Sequence, residues 1–155
     1  MPRLEVLENK KLVLKNTLCK ELKNLQIEKL DEEISKFGLL LERLSVQTFG
    51  PLIMRNAGIS FADDGEMTMD HTLIIQARDY KQYKNNFSVF EQVEVPNSVY
   101  VRFEGASEDL HFAHSKLDLY FYENELEPTG ETYSVIIDET ENNTIVDIFK
   151  PVKRL

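Results

Sequence analysis

The chain has 155 residues, of which 27 are acidic and 18 are lysine or arginine, giving a formal net charge of −9. A chain of this length is typical of one domain whose core needs no disulfide or metal, and the single cysteine, Cys19, excludes an internal disulfide framework and a cysteine-rich zinc site. The acidic balance argues against direct nucleic-acid binding, because such binding relies on lysine and arginine at the phosphates.

Membrane and secretory classes are also disfavoured. No stretch approaches the ~18 apolar residues of a membrane span, and the first residues, Met1 to Glu5, lack the apolar region of a signal peptide. A lone cysteine is typical of a reducing compartment. We therefore expect a cytoplasmic protein with no membrane partner.

The first half of the chain contains one clear helix among predicted strands. Residues 10–19 alternate in hydrophobicity, which predicts a strand. From Ile27 to Leu44 apolar residues recur at steps of three and four, which predicts an amphipathic helix. Gly50-Pro51 is expected to reverse the chain after this helix. The remaining predicted elements are a strand at 52–55, a turn at 63–65 and a strand at 71–77.

The second half repeats this order after a polar segment, residues 78–86, which has too few apolar residues for a core element and is predicted to be a linker. Ser107 is expected to cap a helix with its hydroxyl, since Glu108 and Asp109 follow in the first turn. The helical region is expected to end by Pro128-Thr129-Gly130. The predicted strands are 87–94, 99–104, 132–137 and 144–149, with turns at 96–98 and 138–143.

The two halves, about 10–79 and 87–153, therefore share one pattern of elements, with matched glycine reversals at Gly50 and Gly130. A period this long fits two fused βαββ units and not a solenoid repeat. The sequence predicts a single α+β domain, with an antiparallel sheet, two main helices and pseudo-twofold symmetry. The groove between the halves is the expected ligand site.

Several short stretches resemble the GyrI-like effector-binding family, which is also SOUL-like in architecture. They are Thr48–Arg55 (TFGPLIMR), Asp63–Met67 (DDGEM), Val95-Pro96 leading into YVRF at 100–103, and Val146–Lys153 (VDIFKPVK). The resemblance covers nearly the whole chain, and the order and spacing of the stretches carry it. It implies the duplicated βαββ fold that serves as the ligand-sensing domain of MerR- and AraC-type transcription regulators.

The family also includes stand-alone members, among them gyrase-interacting proteins and some hydrolases. This chain begins almost directly at its first predicted strand, so we expect a stand-alone protein without its own DNA-binding domain. The resemblance implies sequestration, sensing by contact with another protein, or catalysis on a bound molecule. The duplicated pattern and the aromatic-rich second half favour a non-catalytic protein that binds a small hydrophobic or aromatic molecule and needs no cofactor.

One position departs from the family pattern. Multidrug-binding members carry a buried glutamate four residues before an aspartate and two before an aromatic residue. If Asp138 is that aspartate, the glutamate position falls on Ser134 and the aromatic position on Ile136. The carboxylate that would meet a cationic ligand is missing, which argues against recognition of lipophilic cations.

Two strand patterns supply candidate site residues. Asp147 lies between Ile145 and Phe149 on one side of the last strand, where it lines a cleft, faces solvent at a sheet edge, or meets a lysine or arginine of the neighbouring strand. Tyr100, Arg102 and Glu104 share one side of their strand and either line a pocket or face water.

A third candidate is Tyr120, on the flank of an aromatic-rich helix, which either stacks on a flat ligand or packs with its hydroxyl in water. The full set of predicted ligand-binding residues is Met54, Tyr100, Arg102, Glu104, Tyr120, Ser134 and Asp147. His111 and His114 are too few for a metal site, and no nucleophile–base pair is recognisable.

The sequence thus favours a ligand-binding protein. Two alternatives stay open. A protein-interaction factor would use the acidic turns at 63–64 and 138–141 to meet a basic partner. A hydrolase would use Glu104 or Asp147 to activate water.

Overall fold

A computed structural model describes residues 4–61, 63–140 and 142–153. Within them lie six strands and two α-helices: β1 (Val6–Gln26), α1 (Leu30–Arg43), β2 (Thr48–Phe61), β3 (Met67–Ala77), β4 (Ser88–Gly105), α2 (Leu110–Glu123), β5 (Glu131–Glu139) and β6 (Thr144–Pro151). The predicted α+β fold with antiparallel strands and two main helices is confirmed. No helix of this described part is both long and apolar enough to cross a membrane.

The chain divides into two compact units. The first, Leu14–Val93, pairs β3 with β1 on one side and β2 on the other; we call it the α1 unit. The second consists of residues 4–13 and 94–153; it pairs β6 with β4 and β5, and we call it the α2 unit. The boundaries of the half-repeats and their pseudo-twofold relation stay predictions.

The core of the α1 unit forms where α1 covers one side of the sheet. Leu18 and Leu73 are fully buried there. Phe37 is the buried residue of α1, and its ring meets Phe87 edge to face at a centroid distance of 5.6 Å. One aromatic side chain thus anchors the helix on its sheet.

The segment 78–86, predicted to be a linker, is part of this core. Its 3₁₀ helix, Tyr80–Tyr83, buries both terminal tyrosines. Tyr83 donates its hydroxyl proton to Asp79 Oδ2 at 2.8 Å, so its ring is buried while its polar end stays bonded. Counting apolar residues was misleading because tyrosine contributes a large apolar ring.

Two segments that were predicted to reverse the chain, Gly50-Pro51 and residues 96–98, lie inside strands that continue past them. α1 ends at Arg43, and β2 runs through Gly50 and Pro51. Gly50 has a φ of 75°, and the pairing with β3 shifts between Phe49 and Ile53. β4 likewise continues through Pro96, with Asn97 at a φ of 53°. A strand irregularity accommodates Gly50 and Pro51 in β2, and β4 remains one strand through Pro96 and Asn97, so turn-forming residues do not require a turn.

The core of the α2 unit lies between α2 and its sheet. Val101 and Ile148 on the strands and Leu117 on α2 are almost completely buried. The predicted cap at Ser107 is wrong: its hydroxyl lies 2.6 Å from Thr144 Oγ1 and forms no cap hydrogen bond. β5 and β6 confirm the last two predicted strands, while Glu141 of the predicted acidic turn lies outside the described residues.

Candidate functional site

The α2 unit presents a sheet surface on the side away from α2. Directly paired residues of antiparallel strands point to the same side of a sheet, and neighbours along a strand alternate. Since Val101 and Ile148 face the α2 core, the alternate residues of the three strands share the opposite surface. We call this surface the Tyr100 face; it consists of Tyr100, Arg102, Glu104, Tyr133, Val135, Ile145, Asp147 and Phe149.

An ion pair lies at the centre of the Tyr100 face. Arg102 and Asp147 are directly paired across β4 and β6, and the guanidinium donates from Nε to Oδ1 at 2.7 Å and from Nη2 to Oδ2 at 2.9 Å. The Asp147 side chain is 13% exposed and that of Arg102 is 53% exposed. Of the sequence interpretations of Asp147, the pairing with a cation of the neighbouring strand is therefore the one observed.

Tyr100 holds the same carboxylate from a second direction. Its hydroxyl donates to Asp147 Oδ1 at 2.8 Å. Burial raises the pKa of the Tyr100 hydroxyl above its ordinary value, and the hydrogen bond to Asp147 raises it further. The pKa of Arg102 is also raised, because its charged form donates to Asp147. Tyr100 therefore stays a neutral hydrogen-bond donor near neutral pH, and Arg102 stays positively charged beside the Asp147 carboxylate.

Aromatic rings border this cluster. Tyr100 and Phe149 are directly paired, with ring centroids 5.0 Å apart and planes tilted by 48°. Both residues are half-buried. Tyr133, which is not among the predicted residues, pairs with Phe149 from β5 and donates its hydroxyl proton to Glu131 Oε2 at 3.0 Å. The sequence contained a signal that could have identified Tyr133. Neighbouring residues of a strand point to opposite sides of the sheet, so Tyr133 and Ser134 were expected on different sides.

Glu104 completes the set on this face. It is exposed and lies opposite Ile145 at the end of the row that contains Tyr100 and Arg102. The structure thus brings together Tyr100, Arg102, Glu104 and Asp147 from the predicted set.

The other predicted residues lie elsewhere. Ser134 is buried on the α2 side of the sheet, because it pairs with Ile148, whereas its neighbour Val135 pairs with Asp147. Met54 belongs to the α1 unit, where it pairs with Leu73 and packs against the core. Ser134 therefore points away from Asp147, and its role as a ligand contact stays a prediction, as does that of Met54.

Tyr120 lies on α2 and contacts the N-terminal part of the chain. A hydrogen bond with Glu8, together with burial, raises the pKa of its hydroxyl. It lines a cleft of about 440 Å³ with Leu4, Val6 and Lys116. The Tyr120 ring thus belongs to a different surface from the Tyr100 face.

Other reactive groups are enclosed. Burial raises the pKa of the Cys19 thiol, and its sulfur lies 3.9 Å from the Thr17 hydroxyl. A thiol with a raised pKa is a poor nucleophile near neutral pH. No group of three or more histidine, cysteine or acidic residues in the described ranges is arranged to hold a metal ion.

His71 should make the stability of the protein depend on pH. It is 5% exposed, its Nδ1 has no hydrogen-bond partner among the described residues, and burial lowers its pKa. As pH falls below about 6.5, the unfolded chain takes up this proton more readily than the folded one, so stability falls and levels off below the folded-state pKa.

Urea unfolding at pH values above and below about 6.5 measures this effect. His71→Gln should reduce the dependence of the free energy of unfolding on pH. Burial also lowers the pKa of His114, so the double variant with His114→Gln should reduce it further. His111→Gln, at an exposed position, is the control. An unchanged slope in both histidine variants would contradict the assignment.

Several solved structures are similar to this protein over nearly the whole chain. No family model and no curated protein matches the sequence. Among solved structures, the C-terminal domain of EcmrR aligns with 99% of this chain and 98% of its own, at a TM-score of 0.69 and 14% identity. SAV2435 bound to tetraphenylphosphonium aligns with 98% of this chain and 94% of its own, at a TM-score of 0.51 and 12% identity.

A third similar structure is that of a hydrolase from Listeria innocua, which aligns with 97% of this chain and 92% of its own, at a TM-score of 0.51 and 11% identity. Identities this low support a shared fold and nothing finer. These alignments span almost the whole of each chain, as the sequence resemblance predicted. The protein therefore shares the fold of the EcmrR C-terminal domain, consistent with the GyrI-like fold that the resemblance predicted.

Proposed function

We propose that the protein is a small-molecule binding domain and that its Tyr100 face takes a flat apolar or aromatic ligand. The observation that carries this proposal is the half-buried ring pair of Tyr100 and Phe149 beside a carboxylate that is already neutralised. Aromatic side chains offer large apolar area with little loss of conformational freedom. A few fixed polar groups beside such rings orient a ligand.

The charges of the site define the class of ligand. Arg102 neutralises Asp147, so the cluster has little net attraction for a cation. Arg102 also uses two of its five N–H donors on Asp147, which leaves others for a ligand acceptor. The preferred ligand is therefore a neutral aromatic molecule that carries a carbonyl or another acceptor.

The fold supports ligand binding as a general role, since the similar structure of SAV2435 contains tetraphenylphosphonium. At 12% identity its ligand is not transferred to this chain. We extend the proposal to a cytoplasmic protein that does not contact nucleic acid directly, consistent with the net charge of −9 and the unpaired, buried Cys19.

Hydrolysis is a weaker candidate. Both oxygens of Asp147 accept hydrogen bonds from Arg102, and one also accepts from Tyr100. An attacking water would have to compete with these donors for the oxygens of Asp147. The geometry therefore favours binding over catalysis.

Calorimetric titration with three probes tests the proposal: neutral flavone, cationic tetraphenylphosphonium and anionic anilinonaphthalene sulfonate. Flavone should bind most tightly. Phe149→Ala should weaken its binding about tenfold, since a stacked ring contributes about 0.5–1.5 kcal/mol beyond its buried area. Tyr122→Ala, which removes an 83% exposed ring on α2, is the matched control.

Equal flavone affinity in the Phe149→Ala and control variants would contradict a site on the Tyr100 face. Preference of the unmodified protein for tetraphenylphosphonium would contradict a neutral ligand. Circular dichroism melts of each variant check that the fold is kept.

A further inference from the structure

The β2–β3 hairpin of the α1 unit ends in an exposed apolar surface. Ile59 pairs with Met69 and Phe61 pairs with Met67, so these four side chains share one side of the hairpin. Ile59, Phe61 and Met67 are 58%, 73% and 39% exposed. We call this surface, with the adjoining turn residues Asp63, Asp64 and Glu66, the hairpin tip.

The apolar side chains of the hairpin tip lie on the same side of the sheet that α1 covers nearer the core. Nearer α1, Leu73 of β3 lies on the same side as Met69 and is fully buried in the core with Phe37. Farther toward the turn, the same side of the sheet carries Ile59, Phe61 and Met67, which α1 does not cover. Single exposed apolar residues are ordinary, but contiguous ones rimmed by polar groups mark interaction surfaces.

An acidic cleft adjoins this apolar surface. It has a volume of about 710 Å³, and its lining includes Phe61, Leu25, Lys29, Asp63, Asp64 and Glu66. Asp64 Oδ1 accepts from the Glu66 backbone N–H at 2.9 Å, and Glu66 Oε2 accepts from Gln26 Nε2 at 2.7 Å. Neither contact supplies a positive charge. Three carboxylates thus face one lysine in a cleft with an aromatic wall.

We propose that the hairpin tip docks a basic amphipathic segment of another protein. Apolar side chains of that segment pack on Ile59, Phe61 and Met67, while its lysine or arginine side chains enter the cleft and meet Asp63, Asp64 and Glu66. Charge complementarity selects this occupant, because the whole chain carries −9 and the cleft is locally acidic.

The same charges disfavour two other occupants. A second copy docked tip to tip through a twofold interface would bring two acidic turns near each other, which is repulsive. An anionic membrane surface would also repel the turn. The docking surface goes beyond the proposed ligand binding and shares no residue with the Tyr100 face.

Fluorescence anisotropy with labelled synthetic peptides tests the docking. The probe alternates leucine and lysine, and the comparison peptide alternates leucine and glutamate. The leucine–lysine peptide should bind and the leucine–glutamate peptide should not. Binding should weaken between about 0.1 M and about 1 M salt, because the screening length falls from about 10 Å to about 3 Å.

Variants locate the contact. Phe61→Ser, and separately Asp63→Asn combined with Asp64→Asn, should each weaken peptide binding about fivefold. The matched controls are Tyr122→Ser and the pair Asp138→Asn with Glu139→Gln, which change exposed residues of the α2 unit and should leave affinity unchanged. All altered side chains are exposed, so every variant should keep its fold, which thermal melts verify.

Three results would overturn the proposal. One is equal binding of the leucine–glutamate peptide, which would remove charge as the selector. Another is unchanged affinity in Phe61→Ser and in the Asp63/Asp64 double variant. A third is sedimentation of the unmodified protein as a dimer that Phe61→Ser dissociates, which would make the hairpin tip a self-interface.

Discussion

Replacing Arg102 by methionine should give the Tyr100 face an affinity for lipophilic cations. Asp147 would lose its only observed cationic partner within the described residues while keeping the hydrogen bond from Tyr100. A carboxylate that is 13% exposed and unpaired attracts an organic cation held against the neighbouring rings. Tetraphenylphosphonium binding should tighten about tenfold, equivalent to about 1.4 kcal/mol, as measured by calorimetric titration.

Two further variants separate charge from added apolar area. Arg102→Lys keeps the positive charge and should leave cation binding weak. Arg102→Met combined with Asp147→Asn has the same apolar side chain but no carboxylate, so it should lose the gain. If the double variant binds tetraphenylphosphonium as tightly as Arg102→Met alone, the carboxylate is not the reason. Arg102→Met should also lower the free energy of unfolding, because it leaves the largely buried Asp147 carboxylate without its cation.

Phe37→Ala should have the largest effect on stability. Phe37 is 2% exposed, is the buried residue of α1 and packs edge to face on Phe87. Removing a buried phenylalanine ring costs about 3–5 kcal/mol through lost burial and the remaining cavity. Since small domains are stable by about 5–15 kcal/mol, this is a large share of the total. Urea unfolding measures the change.

Leu39→Ala is the matched control because Leu39 lies on the same helix and is 60% exposed. It should change the free energy of unfolding by less than about 0.5 kcal/mol. Similar losses in both variants would contradict the expectation that the buried packing of Phe37 stabilises α1.

Local patterns identified most of the elements. Steps of three and four along residues 27–44 predicted α1, and alternation in β5 and β6 predicted strands that the structure confirms. Alternation in β4 likewise separated Tyr100, Arg102 and Glu104 from the apolar residues of the core. The segment 78–86 was misassigned, because hydrophobicity counts do not show that its tyrosine rings are buried.

The site itself depends on contacts between distant parts of the chain. Arg102 and Asp147 are 45 residues apart and meet only because β4 pairs with β6 in one register. That register places the positive charge of Arg102 beside Asp147. The sequence of one strand alone does not show which residue of another strand lies opposite. The pairing of Ser134 with Ile148 likewise places its hydroxyl on the α2 side.

Residue order alone therefore determined the α+β class, most strands, both helices and the alternation of side chains along each strand, because these follow from interactions among near neighbours. Tertiary structure decided which strands are adjacent, which side of each sheet a helix covers and which charge meets Asp147. Those features depend on pairing and burial between residues that are far apart in the sequence. The alternation of side chains along a strand is the same whichever side of the sheet is covered, so it does not show which side is buried.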